Sequence, residues 1–330
     1  MRGATDQSGV TSFRRVLVTG ANGFVGARLC SELARQGHQV RAAVRDSARV
    51  VDLSGEVVVT GALGTATDWS AALEGVDAVV HLAARVHVLR DTAADPVAEY
   101  RVVNVEATQG LARAAAARGV KRLVFASSIK VNGEATGDRP FRHDDVPAPA
   151  DPYGVSKWEA ECALHRISHE TGLEVVVVRP PLVYGPGVGG NFRRLLKLVV
   201  RGMPLPFGAV DNRRSMIYNG NLANALAACS FHPDAAGKTY LVSDGEDLST
   251  ADLVRRLAAA LGVTARLLPV PPQILRLAGA LTGRTAEIDR LTGSLRVDSA
   301  PIRTELRWEP AYSIQEGLAD TAGWFAALRP

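Results

Sequence analysis

The stretch Arg15-Val-Leu-Val-Thr-Gly20-Ala-Asn22-Gly23-Phe24-Val25-Gly26-Ala-Arg-Leu29 decides the fold of this chain. Its apolar start predicts a buried strand, and three glycines at three-residue spacing lead from that strand into a helical pattern. Gly20 would permit a tight turn, Gly23 a close approach of backbone to ligand, and Gly26 close packing of helix on sheet. The helix N-terminus would then present free N–H groups and a positive dipole end, which favour a pyrophosphate.

Strand-like and helical patterns alternate through residues 15–180. The predicted strands are Arg15–Thr19, Gln39–Val44, Glu56–Val59, Ala78–Leu82, Arg122–Ala126 and Glu174–Arg179. Helices are predicted over 24–36, 68–74, 97–118 and 153–171. Alternation of this kind indicates an α/β fold of the Rossmann type, a doubly wound parallel sheet with helices on both faces.

The rhythm of the chain changes after Pro180. Proline and glycine cluster there, and helical patterns return over 192–201, 221–231, 250–261 and 314–327. We therefore predict a dinucleotide-binding domain over 14–180 and a smaller mixed α/β substrate lobe over 181–330, interwoven with the first. Residues 1–13 are polar, lack the apolar core of a signal peptide, and are predicted to be a disordered leader.

The composition predicts a globular protein of the cytoplasm. The chain is 47% apolar and 22% charged, and no apolar stretch approaches the length of a membrane span. A net charge of +4 on scattered arginines is more typical of a solvated surface than of a nucleic-acid footprint. Cys30, Cys162 and Cys229 lie in apolar helical patterns and are expected in the core. His165 and His169 lack a third ligand, so no metal site is predicted.

The end of the second predicted strand bears on the choice of cofactor. In dinucleotide-binding folds this position meets the adenosine ribose, where an acidic residue binds a free 2′-hydroxyl and arginine suits a 2′-phosphate. Arg45, with Ser47 and Arg49 nearby, favours NADP over NAD. Asp46 keeps NAD open, and an exposed loop arginine with no cofactor role is the simpler alternative.

The fourth predicted strand leads into His81-Leu82-Ala83-Ala84. Small side chains at the carboxyl end of a strand let a cofactor lie flat across the crevice of the sheet. We expect His81 to be a local hydrogen-bonding residue rather than a catalyst. Val86 and His87 are expected to border the substrate, and Asn104 is expected to tie down a neighbouring loop.

A serine, a tyrosine and a lysine form the predicted catalytic group. Ser128 follows the fifth strand, and Tyr153 and Lys157 stand one helical turn apart on one face. The pKa of a free phenol is near 10, too high for a base at neutral pH, but an adjacent ammonium and an oxidised nicotinamide would together lower it. Ser128 would then hold the same substrate oxygen. The alternative is an ordinary surface pair of Tyr153 and Lys157.

These motifs together resemble those of the extended short-chain dehydrogenases/reductases over nearly the whole chain. The resemblance rests on Gly20-x-x-Gly23-x-x-Gly26, His81-Leu-Ala-Ala84, Asn104, Ser128 and Tyr153-x-x-x-Lys157. The chain looks most like the nucleotide-sugar group, the NAD-dependent epimerase/dehydratase family that includes UDP-galactose 4-epimerases and 4-keto-sugar reductases. The runs 127–134 and 151–157 are similar to members involved in bacterial surface-polysaccharide sugars. The resemblance implies a UDP-sugar substrate and a homodimer formed through helices 97–118 and 153–171.

The resemblance also implies roles for individual residues. The implied cofactor contacts are Gly20, Asn22, Gly23, Phe24, Val25, Gly26, Arg45, Leu82, Ala83, Ala84, Asn104, Tyr153, Lys157 and Pro180. The implied substrate contacts are Val86, Ser128, Lys130, Tyr153, Asn191, Pro206, Phe207, Arg214 and Arg290. Asn191 would contact the diphosphate, and Pro206 and Phe207 would flank the uracil. Arg214 would pair with a phosphate; Arg213 competes for that role, and Arg290 is a weaker second partner.

Two departures from the family pattern affect the expected reaction. Gly61-Ala-Leu63 stands where relatives carry an acidic residue for the adenine, and Arg45 replaces the acidic strand end of NAD-retaining epimerases. We therefore expect reduction of a 4-keto UDP-hexose by NADPH, with Tyr153 exchanging the proton. Epimerisation at C4 with retained NAD is the close alternative. Reduction of a hydrophobic ketone comes third, followed by a non-enzymatic cofactor sensor.

Overall fold

The computed structural model describes residues 14–46, 53–86 and 95–328. The strands are β1 (Arg15–Thr19), β2 (Gln39–Val44), β3 (Glu56–Val59), β4 (Ala78–His81), β5 (Arg122–Ala126), β6 (Glu174–Arg179), β7 (Leu182–Tyr184), β8 (Met216–Tyr218) and β9 (Thr239–Leu241). The helices are α1 (Gly26–Arg35), α2 (Pro96–Arg101), α3 (Ala107–Ala117), α4 (Pro152–Thr171), α5 (Gly190–Val200), α6 (Asn219–Phe231), α7 (Thr250–Ala260), α8 (Pro272–Leu281), α9 (Thr285–Thr292), α10 (Ala300–Leu306) and α11 (Ile314–Ala327). The predicted leader over 1–13, Ser47, Arg49 and His87 lie outside the described residues.

Within these ranges, seven parallel strands form one sheet in the order β3-β2-β1-β4-β5-β6-β9. Val16 and Val18 of β1 pack with α1 and α6 on one face, whereas Leu17 packs with α3 and α4 on the other. Because both faces of the sheet centre are covered, the central strands β1, β4, β5 and β6 are largely apolar runs, whereas β3 at the edge is mostly exposed. The chain runs outward from β1 to β3 and returns to β4, so the carboxyl ends of β1 and β4 border a crevice. The predicted α/β fold is confirmed.

The first six strands lie where the sequence predicts them, except that β4 ends at His81 instead of Leu82. The helix predicted over 68–74 is wrong, because residues 70–75 form turns. There the Asp68 carboxylate accepts a hydrogen bond from the Ser70 N–H at 2.9 Å, and Gly75 adopts a φ of 65°, which ends the segment after one turn. The helix predicted over 97–118 is interrupted between α2 and α3 by a π-helical segment, Val102–Glu106. Helices α8, α9 and α10 are not predicted by the sequence.

The C-terminal part of the chain both extends the main sheet and builds a layer of its own. Strand β9 pairs with β6, and α6 covers α1. Strands β7 and β8 form a separate parallel pair, on which Tyr184 and Tyr218 pack with Leu318 of α11. The division into 14–180 and 181–330 stays a prediction. Across the described ranges, no helix combines the length and hydropathy that a bilayer crossing needs.

Candidate active site

The glycine turn between β1 and α1 has the geometry of a close-approach site. Gly20 adopts a φ of 66°, and a methyl group added there would lie 2.9 Å from the Ala83 nitrogen. A methyl group at Gly26 would lie 2.1 Å from the Gly20 carbonyl oxygen, so only glycine fits at both positions. The N-cap residue of α1 is Val25, whose apolar side chain cannot satisfy the first N–H groups of the helix. The turn therefore fits the pyrophosphate of a dinucleotide.

The other residues expected around the cofactor differ in exposure. Asn22 and Gly23 are exposed on the turn, whereas Phe24 and Val25 are half-buried. Arg45 is exposed directly after β2, at the edge of the crevice where an adenosine ribose would lie. Its role in choosing between NAD and NADP stays a prediction.

Hydrogen bonds hold the loop after β4 beside the glycine turn. His81 is buried between two hydroxyls, with its Nδ1 2.7 Å from Thr19 Oγ1 and its Nε2 2.9 Å from Thr108 Oγ1. Burial, and then the charge of Lys157, lower the pKa of His81 to about 3, so the ring stays neutral. The N–H groups of Leu82 and Ala83 both donate to Thr19 Oγ1 at 3.2 Å. These bonds suit a local structural role for His81.

Asn104 ties this loop to helix α4. Its Oδ1 accepts from the Arg85 N–H at 2.8 Å, and its Nδ2 donates to the Arg85 carbonyl at 3.0 Å and to Ser156 Oγ at 2.9 Å. Asn104 lies in the π-helical segment, a local irregularity that often accompanies functional sites. Ala84 is half-buried in the same loop, and Val86 is exposed at its end. The loop and α4 are therefore held in one arrangement.

Ser128, Tyr153 and Lys157 converge as the sequence predicts. Helix α4 is capped by Asp151, whose Oδ1 accepts from the Gly154 N–H at 2.7 Å, and this cap sets the orientation of the first turn. Tyr153 stands in that turn and is hydrogen-bonded to Ser128, which stands at the end of β5. Lys157 follows one turn later and is buried, with its Nζ 3.9 Å from the centroid of the Phe125 ring. The catalytic roles themselves stay predictions.

Burial governs the charge of this group in the protein. Desolvation first, and then the charge of Asp151, raise the pKa of Tyr153 to about 12, while the hydrogen bond with Ser128 lowers it. Burial also lowers the pKa of Lys157 to about 7, against the opposing effect of Glu161. Burial therefore outweighs the lowering of the Tyr153 pKa that the sequence predicts.

Three cationic side chains that are expected near the substrate, those of Lys130, Arg214 and Arg290, lie around Glu134. Lys130 Nζ donates to Glu134 Oε1 at 2.8 Å and also to Asp151. Arg290 Nε lies 4.0 Å from the Glu134 carboxylate. Arg214 donates to the Arg290 carbonyl at 2.7 Å, and burial lowers its pKa while the charge of Glu134 opposes that change.

The remaining residues that are expected to contact the substrate differ in their exposure. Asn191 is exposed in the first turn of α5, and the competing Arg213 is also exposed. Pro206 is half-buried, but the ring of Phe207 is buried in an apolar cluster with Val199 and other residues. The uracil contact expected of Phe207 would require access that this packing restricts, and it stays a prediction. The Pro180 carbonyl accepts from the Ile129 N–H at 3.0 Å, which joins the end of β6 to the turn after Ser128.

Residues 16–243 match the model of the NAD dependent epimerase/dehydratase family. The chain belongs to this family. It is therefore an enzyme of the extended short-chain dehydrogenase/reductase type, and the resemblance drawn from its motifs is confirmed. A nicotinamide dinucleotide is the cofactor of the family.

Two relatives and one solved structure are similar to this chain over nearly its whole length. The chain is 44% identical to "UDP-glucose 4-epimerase" of Vibrio cholerae, over 94% of this chain and 95% of that protein. It is 31% identical to "2-alkyl-3-oxoalkanoate reductase" of Stenotrophomonas maltophilia, over 92% of this chain and 97% of the relative. The structure of MoeE5 in complex with UDP-glucuronic acid and NAD superposes with a TM-score of 0.75 at 27% identity, covering 95% of this chain and 99% of the other.

In this epimerase/dehydratase family protein, a buried ionic network behind the catalytic group is not predicted by the sequence. Arg179 at the end of β6 donates to both carboxylate oxygens of Glu161, at 3.0 and 2.6 Å, and to Asn132 Oδ1 at 3.0 Å. Ser127 donates to the same carboxylate. The sequence features that could have indicated this network are Glu161, one turn after Lys157, and Arg179 at the end of an apolar strand. The network joins β5, α4 and β6 directly behind the site.

Proposed function

We propose that this protein is an NAD-dependent UDP-sugar 4-epimerase. The proposal rests on the 44% identity to the Vibrio cholerae UDP-glucose 4-epimerase, which extends over nearly the full length of both proteins. It places epimerisation ahead of 4-keto reduction, the reaction that Arg45 led us to expect first. The convergence of Ser128, Tyr153 and Lys157 supports either reaction, because both begin or end with proton exchange at the C4 oxygen.

The proposed roles follow from the positions of these three side chains. Tyr153, as phenolate, accepts the proton of the C4 hydroxyl, and Ser128 holds the same oxygen by a hydrogen bond. Lys157 contacts the nicotinamide ribose and favours the phenolate by its charge. Bound NAD supplies the reversible acceptance of a hydride from C4. Tyr153 returns the proton after the keto sugar has presented its other face, so one residue acts as both base and acid.

The UDP moiety would be held by the cationic cluster around Glu134. Arg214 and Arg290 supply guanidinium groups, which suit phosphate oxygens because they donate in pairs. Asn191 would add a hydrogen bond to the diphosphate, and the half-buried Pro206 would border the uracil. A dianionic diphosphate would also compensate the positive charge that these arginines share with Lys130.

The choice of NAD in this proposal is supported by the family description and by the NAD in the MoeE5 complex. Arg45 argues for NADP, because its guanidinium suits a 2′-phosphate. Asp46, its neighbour, is also exposed and would suit a free 2′-hydroxyl. The two residues make cofactor identity a direct test of the proposal.

The test begins by releasing the cofactor from purified protein and identifying it by chromatography. UDP-glucose is then supplied without added cofactor, and UDP-galactose is measured. Retained NAD, and interconversion of the two sugars without net change in absorbance at 340 nm, are expected. Stoichiometric consumption of NADPH on a 4-keto UDP-sugar, without interconversion, would overturn epimerisation in favour of reduction.

A second candidate function is reduction of a hydrophobic ketone. The 31% identity to the Stenotrophomonas maltophilia reductase favours it, because that relative also matches over nearly its whole length. The same protein is therefore assayed with a 2-alkyl-3-oxoalkanoate and NADPH. Turnover of that ketone, together with no rise in melting temperature on addition of UDP, would replace the nucleotide-sugar proposal.

A further inference from the structure

We propose that Lys130 is a positioning residue that neutralises the Asp151 carboxylate beside Tyr153 and so controls how readily the phenol gives up its proton. This inference rests on the proposed function, because it assigns Tyr153 the proton exchange. It differs from the expected direct contact between Lys130 and the sugar. Lys130 would act on the reaction through Asp151.

The first support is the pairing of Lys130 itself. It stands two residues after Ser128, in the short 3₁₀ turn Ile129–Val131 that follows β5. Its Nζ binds Asp151, and it also donates to Glu134 Oε1 at 2.8 Å. The side chains of Lys130 and Asp151 are only 17% and 21% exposed, so water screens this pair weakly.

The second support is the fixed place of Asp151 relative to Tyr153. One oxygen of its carboxylate caps α4 at the Gly154 N–H, and the other meets Lys130. A methyl group at Gly154 would lie 3.0 Å from the Lys130 carbonyl oxygen, so the turn after β5 lies directly against the start of α4. Cap, turn and ion pair together hold a carboxylate two residues before the catalytic phenol.

The third support is the set of groups that act on the phenol. From β5 the phenol meets Ser128, and from α2 it meets Tyr100, with ring centroids 6.3 Å apart and the Arg85 guanidinium 5.6 Å above the Tyr100 ring. Its own helix supplies the N-cap residue Asp151 and also Lys157, which stands one turn after Tyr153. The charge of Asp151 opposes the phenolate. A cation bound to Asp151 weakens that opposition, and Lys130 is placed to supply it.

The test compares the pH dependence of epimerase turnover in matched variants. Lys130→Met leaves Asp151 uncompensated, so the pH at which turnover rises should move up by about one unit. Asp151→Asn retains a capping side chain, removes the charge, and should move it down. Lys130→Arg should keep the wild-type profile, and the double variant Lys130→Met/Asp151→Asn should match Asp151→Asn, because Lys130 acts through the Asp151 charge. NAD content and melting temperature are measured for each.

Each outcome decides between two roles for Lys130. An unmoved kcat profile with a raised KM in Lys130→Met would make Lys130 a sugar-binding residue and overturn the inference. If Lys130→Met does not fold, the pH profile of Lys130→Arg/Asp151→Asn is compared with that of Asp151→Asn. The inference requires both profiles to shift in the same direction from wild type, and opposite shifts would overturn it. Tyr153→Phe separates the two levels of the argument. If Tyr153→Phe is inactive but the pH profiles of the Lys130 and Asp151 variants do not move, only this inference is overturned. If Tyr153→Phe keeps full activity, the proposed function is overturned.

Discussion

At the scale of single residues, burial sets the charge of the groups on which the site depends. It raises the pKa of Tyr153 to about 12 and lowers that of Lys157 to about 7, and both shifts favour neutral side chains. The protonation of both groups therefore responds to any further charge in the crevice. We infer that cofactor binding and activation of the phenol are coupled, since an oxidised nicotinamide adds such a charge.

The phenolic hydroxyl of Tyr153 is expected to be indispensable. Tyr153→Phe removes the proton-exchanging group but keeps the ring, so turnover should fall by about 10²–10⁴-fold. Cofactor binding should persist, because the glycine turn and Lys157 remain. The control is Tyr100→Phe, which removes a hydroxyl that donates to the Val86 carbonyl at 3.5 Å, a long bond, and should retain most activity. Turnover and bound cofactor are measured for both variants.

The buried His81 is expected to lower the free energy of unfolding of the protein in acid. Its pKa is about 3 in the folded protein and about 6.5 in an unfolded chain, so the unfolded state binds the extra proton first as pH falls. Below about pH 6.5 this residue should lower the free energy of unfolding by up to about 1.4 kcal/mol per pH unit, until about pH 3. Urea titrations at several pH values compare the protein with His81→Asn. Equal slopes in the two would contradict the prediction.

At the scale of elements, strands were more predictable than helices. β1, β2, β4, β5 and β6 are short, largely buried apolar runs, and β3 at the edge of the sheet is a short run of valines that is mostly exposed, so each strand is marked by its local sequence. The segment 68–74 has helical spacing but ends at Gly75 after one turn, too short for a stable helix. The Glu161–Arg179 pair escaped prediction because it joins α4 to β6, and no local pattern reports such a partner.

Helix α1 is expected to tolerate no side chain at its first residue. Gly26→Ala would place a methyl group 2.1 Å from the Gly20 carbonyl oxygen and 2.8 Å from the Ala21 Cα, both backbone atoms that cannot rotate away. The helix must shift, so NAD affinity should fall at least about tenfold. The control is Gly323→Ala in α11, where an added methyl group meets nothing within 4 Å and the free energy of unfolding should rise by up to about 1 kcal/mol. Calorimetric titration and urea unfolding measure both effects.

At the scale of the whole molecule, the two ends of the chain share one sheet. β9 extends the sheet beyond β6, and α6 covers α1 through an apolar cluster that contains Leu29 and Leu226. Burial of this kind makes the free energies of the two parts interdependent. A homodimer through the helices over 97–118 and 153–171, and a place in the cytoplasm, stay predictions.

A fragment containing only residues 14–180 is expected not to fold. It lacks β9 and α6, so the edge of β6 and the apolar face of α1, with Leu29 and Leu33, would be open to water. Circular dichroism during urea titration should show no cooperative transition for the fragment and a single one for the full chain. A cooperative transition of the fragment would show that the predicted dinucleotide-binding domain is autonomous.

The hydroxyl of Thr19 sets the direction of the hydrogen bonds around His81. It accepts from two backbone N–H groups of the loop after β4, which leaves its own proton for His81 Nδ1. His81 Nε2 then carries the ring proton and donates to Thr108, which donates to the Asn104 carbonyl at 2.8 Å. The three bonds run one way, so the imidazole is confined to a single tautomer. Nitrogen NMR should find Nε2 protonated, because the Asn104 carbonyl can only accept and the direction of the chain of bonds cannot be reversed.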